Sequence, residues 1–198
     1  MKKATAMLLV LLSLSGCGGG DDETVEQLLQ RYESMESCSM EAVVCCEYFD
    51  ERREYTLHCD YNAGGESIIT VLKPAGLQGI SIRFAGEKRQ VLYEDIVLDA
   101  GTVGESRLSP VEILPRMMDA VKNGWLLEEN AEQMDGEPLR RMTFEVEENG
   151  AKQYWTLLFD EKTGCPMTAE LSEDSRLIFT IEFTKFKIND IIKKRETE

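Results

Sequence analysis

A chain of 198 residues is long enough for one domain with a buried core, or for one domain with an added hairpin. Its 37 acidic against 22 basic side chains leave a formal net charge of -15, a surface that repels nucleic acid and anionic lipid headgroups, since binding to either comes largely from lysine and arginine meeting phosphate. His58 is the single histidine, and the sequence contains no HExxH, GxSxG or P-loop spacing, so a non-catalytic role without cofactor, metal site or nucleic-acid partner is expected.

The first residues say where the chain works. Lys2 and Lys3 precede an apolar run from Ala4 to Leu14, the build of a secretory leader. The run is too short to span a bilayer, which takes about 20 apolar residues. It ends in Leu14-Ser15-Gly16-Cys17, where small residues suit entry into a peptidase and the thiol is the group that can be alkylated. These four residues resemble the lipobox of bacterial lipoproteins. The resemblance implies that Cys17 takes a diacylglycerol and becomes the new N-terminus once residues 1–16 are removed. Residues 17–22, with Gly18-Gly19-Gly20, would then form a flexible tether, and residues 23–198 a single domain held to an extracytoplasmic membrane surface by acyl chains. With Cys17 assigned to lipid, Cys38, Cys45, Cys46, Cys59 and Cys165 form an odd set, so at least one thiol is free or pairs between molecules.

After the acidic residues Asp21, Asp22 and Glu23, the spacing of Val25, Leu28, Leu29, Tyr32 and Met35 predicts an amphipathic helix. From Met40 the period becomes two. Met40, Ala42, Val44, Cys46 and Tyr48 share one strand face, and Tyr55, Leu57, Cys59 and Tyr61 share the next. With residues 50–53 as the turn, Tyr48 would face Tyr55, Cys46 would face Leu57 and Val44 would face Cys59. This register puts Cys46 and Cys59 on a diagonal beyond disulfide reach and sets Cys45 opposite His58 on the outer face, as an exposed thiol.

Shorter strands follow at Ile68–Leu72, Ile80–Phe84, Val91–Tyr93 and Ile96–Leu98, separated by polar breaks. Ser109-Pro110-Val111-Glu112 has the spacing of a capping box and opens a helical segment ended by Gly124, with Pro115 expected to break or kink it after one turn. The last third returns to strands over Met142–Val146, Trp155–Phe159, Met167–Leu171 and Leu177–Phe183, the last extended by Phe186 and Ile188. About ten strands with one apolar face each, and two helical segments, predict an α+β fold: an antiparallel meander curled into an open half-barrel whose concave face the helices cover.

Trp155-Thr156-Leu157-Leu158-Phe159-Asp160, then Lys162-Thr163-Gly164 and Pro166, and finally Ile181-Glu182-Phe183-Thr184 with Ile188-Asn189 carry a further resemblance. They resemble the strand, Asp-x-x-Thr-Gly turn and closing strand of the LolA/LolB lipoprotein-carrier superfamily. Similar arrangements occur in lipid-anchored relatives from spore formers such as the germination lipoprotein GerS. The resemblance implies a half-barrel that binds an acyl chain, another hydrophobic ligand or a lipidated protein, with Met117, Phe144, Trp155, Leu157, Phe179 and Ile181 as candidate lining residues. The alternative it implies is a scaffold for protein interaction that supports a cell-wall or spore-cortex enzyme. Either partner would be met in the cell envelope.

Overall fold

The computed structural model describes residues 23–48, 51–86, 88–102, 109–148 and 150–189. The leader, Cys17 and the tether lie outside the described residues. Helix α1 (Val25–Ser34) starts at Thr24, whose hydroxyl accepts a hydrogen bond from the Gln27 backbone N–H while the Gln27 side chain accepts one from Thr24 N–H, a complete capping box. Strands β1 (Ser37–Tyr48), β2 (Glu51–Asn62), β3 (Glu66–Lys73), β4 (Ser81–Ala85), β5 (Lys88–Tyr93) and β6 (Ile96–Thr102) follow as a meander. A single turn of 3-10 helix leads into α2 (Ile113–Asn123). The chain then closes through β7 (Trp125–Met134), β8 (Glu137–Glu148), β9 (Ala151–Asp160), β10 (Pro166–Glu173) and β11 (Arg176–Ile188).

All eleven strands form one antiparallel sheet in the order β6-β5-β4-β3-β2-β1-β11-β10-β9-β8-β7. It does not close: β6 and β7 are its two edges. The alternation read from the sequence is the alternation of burial. Met40, Ala42 and Val44 of β1, Leu57 and Cys59 of β2, Phe144 of β8, Trp155 and Leu157 of β9 and Phe179 of β11 form one apolar cluster with Leu28 and Tyr32 of α1 and Ile113, Leu114, Met117 and Val121 of α2. Both helices therefore bury their apolar stripe against the same sheet face.

Five expectations are corrected. The β1–β2 hairpin is tighter: Tyr48 faces Glu51, so Val44 faces Tyr55 and Met40 faces Cys59. The shift of four positions is even, so the inward residues keep their face, and the hairpin end sets Glu47 opposite Arg52. Cys45 consequently faces Glu54 and is buried, its sulfur 3.4 Å from the Arg52 guanidinium; the aliphatic stems of these neighbours cover it. Pro115 does not break α2. It sits in the first turn, where its missing N–H would have no helical partner. Ser109 makes no side-chain cap: the Glu112 N–H that its hydroxyl would accept from is donated to the Ser109 carbonyl at 2.9 Å, and the Glu112 carboxylate that would complete the box is taken up by two arginines. Met167 is exposed, since a register shift between Pro166 and Thr168 turns it out of the face that Ala169 and Leu171 share.

Gly124 does end α2, and a Cβ there would run into the Ala120 carbonyl whose hydrogen bond from Gly124 N–H closes the helix. The Asp160-x-x-Thr163-Gly164 turn is a seat for α1. Asp160 Oδ1 accepts hydrogen bonds from Thr163 N–H (2.7 Å) and Thr163 O–H (2.8 Å), and the turn so fixed presents its carbonyls to the helix. Arg31 donates to Thr163 O at 3.1 Å and the buried Tyr32 hydroxyl donates to Gly164 O at 2.9 Å. The Cys38, Cys45, Cys46, Cys59 and Cys165 thiols are all free, and burial pushes the Cys38 thiol up to about 12, which keeps it protonated and unreactive. Among the described residues no helix is long and apolar enough to cross a membrane.

Candidate functional site

The core stops where inward positions turn polar. On β3, β4 and β5 one cross-strand row of the inner face reads Ser67, Phe84, Arg89, next to Tyr61 of β2. On the far side of the sheet, β8 carries Val146 and then Glu148 beyond Phe144, and β9 begins its buried alternation with Gln153 before Trp155, Leu157 and Phe159. Charged and amide groups cannot be packed into apolar contact without partners. Between these two rows and the polar flank of α2 lies a cavity of about 760 Å³.

Its frame is a chain of ion pairs. Arg89 of β5 contacts Glu112 at 2.7 Å, Glu112 contacts Arg116 one helical turn on at 3.3 Å, and Arg116 in turn holds Glu148 of β8. Glu112 is only 5 % exposed. A buried carboxylate with two guanidinium partners is a structural linchpin, since removing either partner would strand a charge. A second link joins β2 to α2, where the Tyr61 hydroxyl donates to Asp119 Oδ1 at 2.6 Å. Desolvation in the cavity wall pushes the Asp119 carboxyl above the ordinary carboxylate range, while Tyr61, Lys122 and Arg116 pull the other way. Burial likewise raises the Tyr61 phenol, with the Asp119 charge adding to it, so Tyr61 remains a donor.

Apolar walls come from Phe84, Trp125 and Trp155. Trp155 is fully buried, whereas Trp125, set at the start of edge strand β7 directly after Gly124, is 74 % exposed at the mouth. Gln153 is 6 % exposed as a residue and makes no side-chain hydrogen bond among the described residues; its amide is not sealed in the core but open to the cavity. No group of three or more His, Cys, Asp and Glu side chains stands close enough to hold a metal ion among the described residues.

Of the six candidate lining residues, only Trp155 lines this cavity. Met117, Phe144, Leu157, Phe179 and Ile181 lie in the packed core beside it, each at most 2 % exposed. The sequence reading passed over Glu112, Arg116, Asp119, Trp125 and Gln153. Gln153 has a legible signal, since it precedes Trp155, Leu157 and Phe159 at strict period two and so takes an inward position. Glu112 and Arg116 show only their own i,i+4 pairing, because their other partners Arg89 and Glu148 are distant in sequence.

No protein-family model matches the sequence, and none of the curated proteins matches it. Among solved structures the chain is similar to the LolA superfamily protein NE2245 from Nitrosomonas europaea, at 14% identity over 88% of this chain and 98% of that one, with a TM-score of 0.48. It is similar to the lipoprotein LppX from Mycobacterium tuberculosis, at 12% identity over 84% of this chain and 98% of that one, with a TM-score of 0.44. A chain in the structure of the CwlD amidase from Clostridioides difficile in complex with the GerS lipoprotein is similar at 18% identity, over 89% of this chain and all of that one, with a TM-score of 0.43.

Proposed function

We propose that this chain is a non-catalytic lipoprotein of the bacterial envelope, anchored through Cys17, whose cavity receives the apolar part of a hydrophobic ligand or of a lipidated protein. The observation that carries this reading is a hollow of about 760 Å³ at the end of a core that is otherwise closely filled. That volume lies within the range of small-molecule sites, roughly 300 to 1,000 Å³. A half-barrel with α2 on its concave side accounts for the ion-pair chain. Strands β5 and β8 stand eight places apart in the sheet. Flat, they would be separated by about 38 Å at the usual strand spacing, well beyond what one helical turn and an ion pair on each side can bridge. The sheet must curl to bring Arg89 and Glu148 to the same helix. Native mass spectrometry of the mature protein, with Cys17 replaced to remove the anchor, tests the reading. A mass excess lost on organic extraction supports it; a bare mass, with no uptake of added acyl ligand, overturns it.

A second reading, a scaffold that docks on a cell-wall or spore-cortex enzyme, is favoured by the edge strand β6. Ile96, Val97 and Leu98 are each more than half exposed. As consecutive strand residues they point to both faces, leaving apolar side chains of the edge uncovered on each side. Replacing Ile96 and Leu98 by Ser would abolish capture of such an enzyme and leave any cavity ligand in place.

A further inference from the structure

The sheet has two edges, and they are finished differently. Along β7, Glu128, Glu129 and Glu132 and a register shift between Leu126 and Glu128 blunt the edge, as natural sheets blunt strands that must not pair. Edge β6 has little of this: from Ile96 to Thr102 its one charged residue is Asp99. Leu98 ends a cross-strand row of the inner face that runs through Met40, Cys59, Ile69, Ile82 and Val91. The row is buried as far as Ile82 and then runs out, with Leu98 58 % exposed at the rim. The backbone sets how a partner can continue it. The two-residue turn Glu94-Asp95 makes Tyr93 and Ile96 a hydrogen-bonded pair. Such pairs alternate along the ladder, so Leu98 bonds to Val91, and the N–H and C=O groups of Val97 and Asp99 point to the free edge.

We propose that β6 is the interface for a second copy of this chain, paired antiparallel about a two-fold axis at Leu98. Like charges rule out the neighbouring registers: centred on Val97, Asp99 would face Asp95 of the second copy, and centred on Asp99, the two Asp99 carboxylates would face each other. Centred on Leu98, Val97 and Asp99 exchange their free hydrogen bonds with Asp99 and Val97 of the second copy, and no charge faces a like charge. The acidic turn Glu94-Asp95 then comes beside the Gly101-Thr102 end of the other β6, next to Lys88 of β5, which is exposed and has no ion pair among the described residues. Both inner faces lie on the same side of the joined sheet, so the row that ends at Leu98 continues through Leu98, Val91 and Ile82 of the second copy. Burial of these apolar side chains drives the pairing. At a net charge of -15 the copies repel one another elsewhere, which leaves association to the strand where apolar contact and register agree. The inference does not depend on what the cavity holds. It competes with docking of an enzyme on β6, since the edge takes one occupant.

Sedimentation equilibrium of the mature protein carrying Cys17→Ala tests the pairing, and cross-linking tests its register. The mass should rise from monomer to dimer with concentration. Leu98→Lys lowers the net negative charge yet sets two like charges on the axis, and should weaken the dimer by about tenfold or more, with Lys88→Glu weakening it severalfold. Both positions are exposed, so both variants should fold as the wild type does. Leu98→Cys would bring the two thiols to residues whose Cα atoms are about 4.5 Å apart, within disulfide reach, whereas Ile96→Cys would hold them about 14 Å apart. Mild oxidation should therefore give a covalent dimer from Leu98→Cys in several times the yield from Ile96→Cys or from the chain with its native thiols alone. A monomer at every concentration overturns the proposal, and so does an enzyme that takes β6 while the chain stays monomeric. A dimer that Leu98→Lys leaves intact would place the interface elsewhere and overturn it as well. Equal yields from Leu98→Cys and Ile96→Cys would overturn the two-fold axis at Leu98.

Discussion

Both helices bury their apolar stripe in one cluster with the same sheet face, yet the regions beside them differ. Beside α1 the face is sealed: the Tyr32 ring meets Phe159 edge-on at 5.5 Å and Phe186 at 6.1 Å, and its hydroxyl reaches the Gly164 carbonyl. Beside α2 the inward positions of the outer strands are Ser67, Arg89, Glu148 and Gln153, and the face is hollow. One sheet can thus be a packed core at one place and the wall of a cavity at another, according to which residues stand at the same alternating positions. Changes beside α1 should then cost stability, and changes beside α2 should cost binding.

Tyr32→Ala should have the largest effect, about 3–5 kcal/mol in urea unfolding, because it opens a cavity in the sealed region and leaves the Gly164 carbonyl unpaired. A loss under 1 kcal/mol would mean that α1 is not part of the core. Gly164→Ala comes next. The residue has φ +61°, and a Cβ would fall on the Arg31 guanidinium, so a loss of about 1–3 kcal/mol and a detached α1 are expected. Crossing to the hollow region should reverse the pattern. Gln153→Leu replaces an amide that faces the cavity without a hydrogen-bond partner among the described residues, and should change stability by less than about 1 kcal/mol while binding of the proposed cavity ligand falls. A loss of stability comparable to that of Gly164→Ala would show that Gln153 is a structural residue.

The smallest effect is one of pH. The Asp119 carboxyl is raised above its unfolded value, so the folded protein holds this proton more tightly than the unfolded chain does. Its stabilising contribution is full below the ordinary aspartate pKa and is lost as pH rises through the raised value. The stability of the wild type relative to Asp119→Asn should therefore decline with rising pH across that acidic window, read by thermal melts. A difference that grows instead would place the Tyr61 and Lys122 interactions above desolvation.

The sequence made the central strands legible because period-two burial survives errors of register. The β1–β2 turn was expected at residues 50–53, yet an even shift kept Met40, Ala42 and Val44 on the inner face. Strand β7 was harder to read. It is an edge with Glu128, Glu129 and Glu132, largely exposed, so no burial alternation marks it; Asp135-Gly136, with both residues at positive φ, is the one local signal of its hairpin. The cavity was misplaced for a related reason. Large apolar residues such as Phe144 and Phe179 mark where a core is filled, whereas a hollow is marked by polar residues at inward positions.

Lys122 links the two regions. Near the end of α2, its ammonium donates to the main-chain carbonyls of Tyr32, Glu33 and Met35 at 3.1, 2.7 and 2.7 Å, capping the C-terminal end of α1. Neither helix can lift away from the other while this clasp holds, so for the proposed cavity ligand it would set the rate of entry and exit more than the affinity. Lys122→Met, which keeps the length of the stem and removes the donors, should shorten residence time.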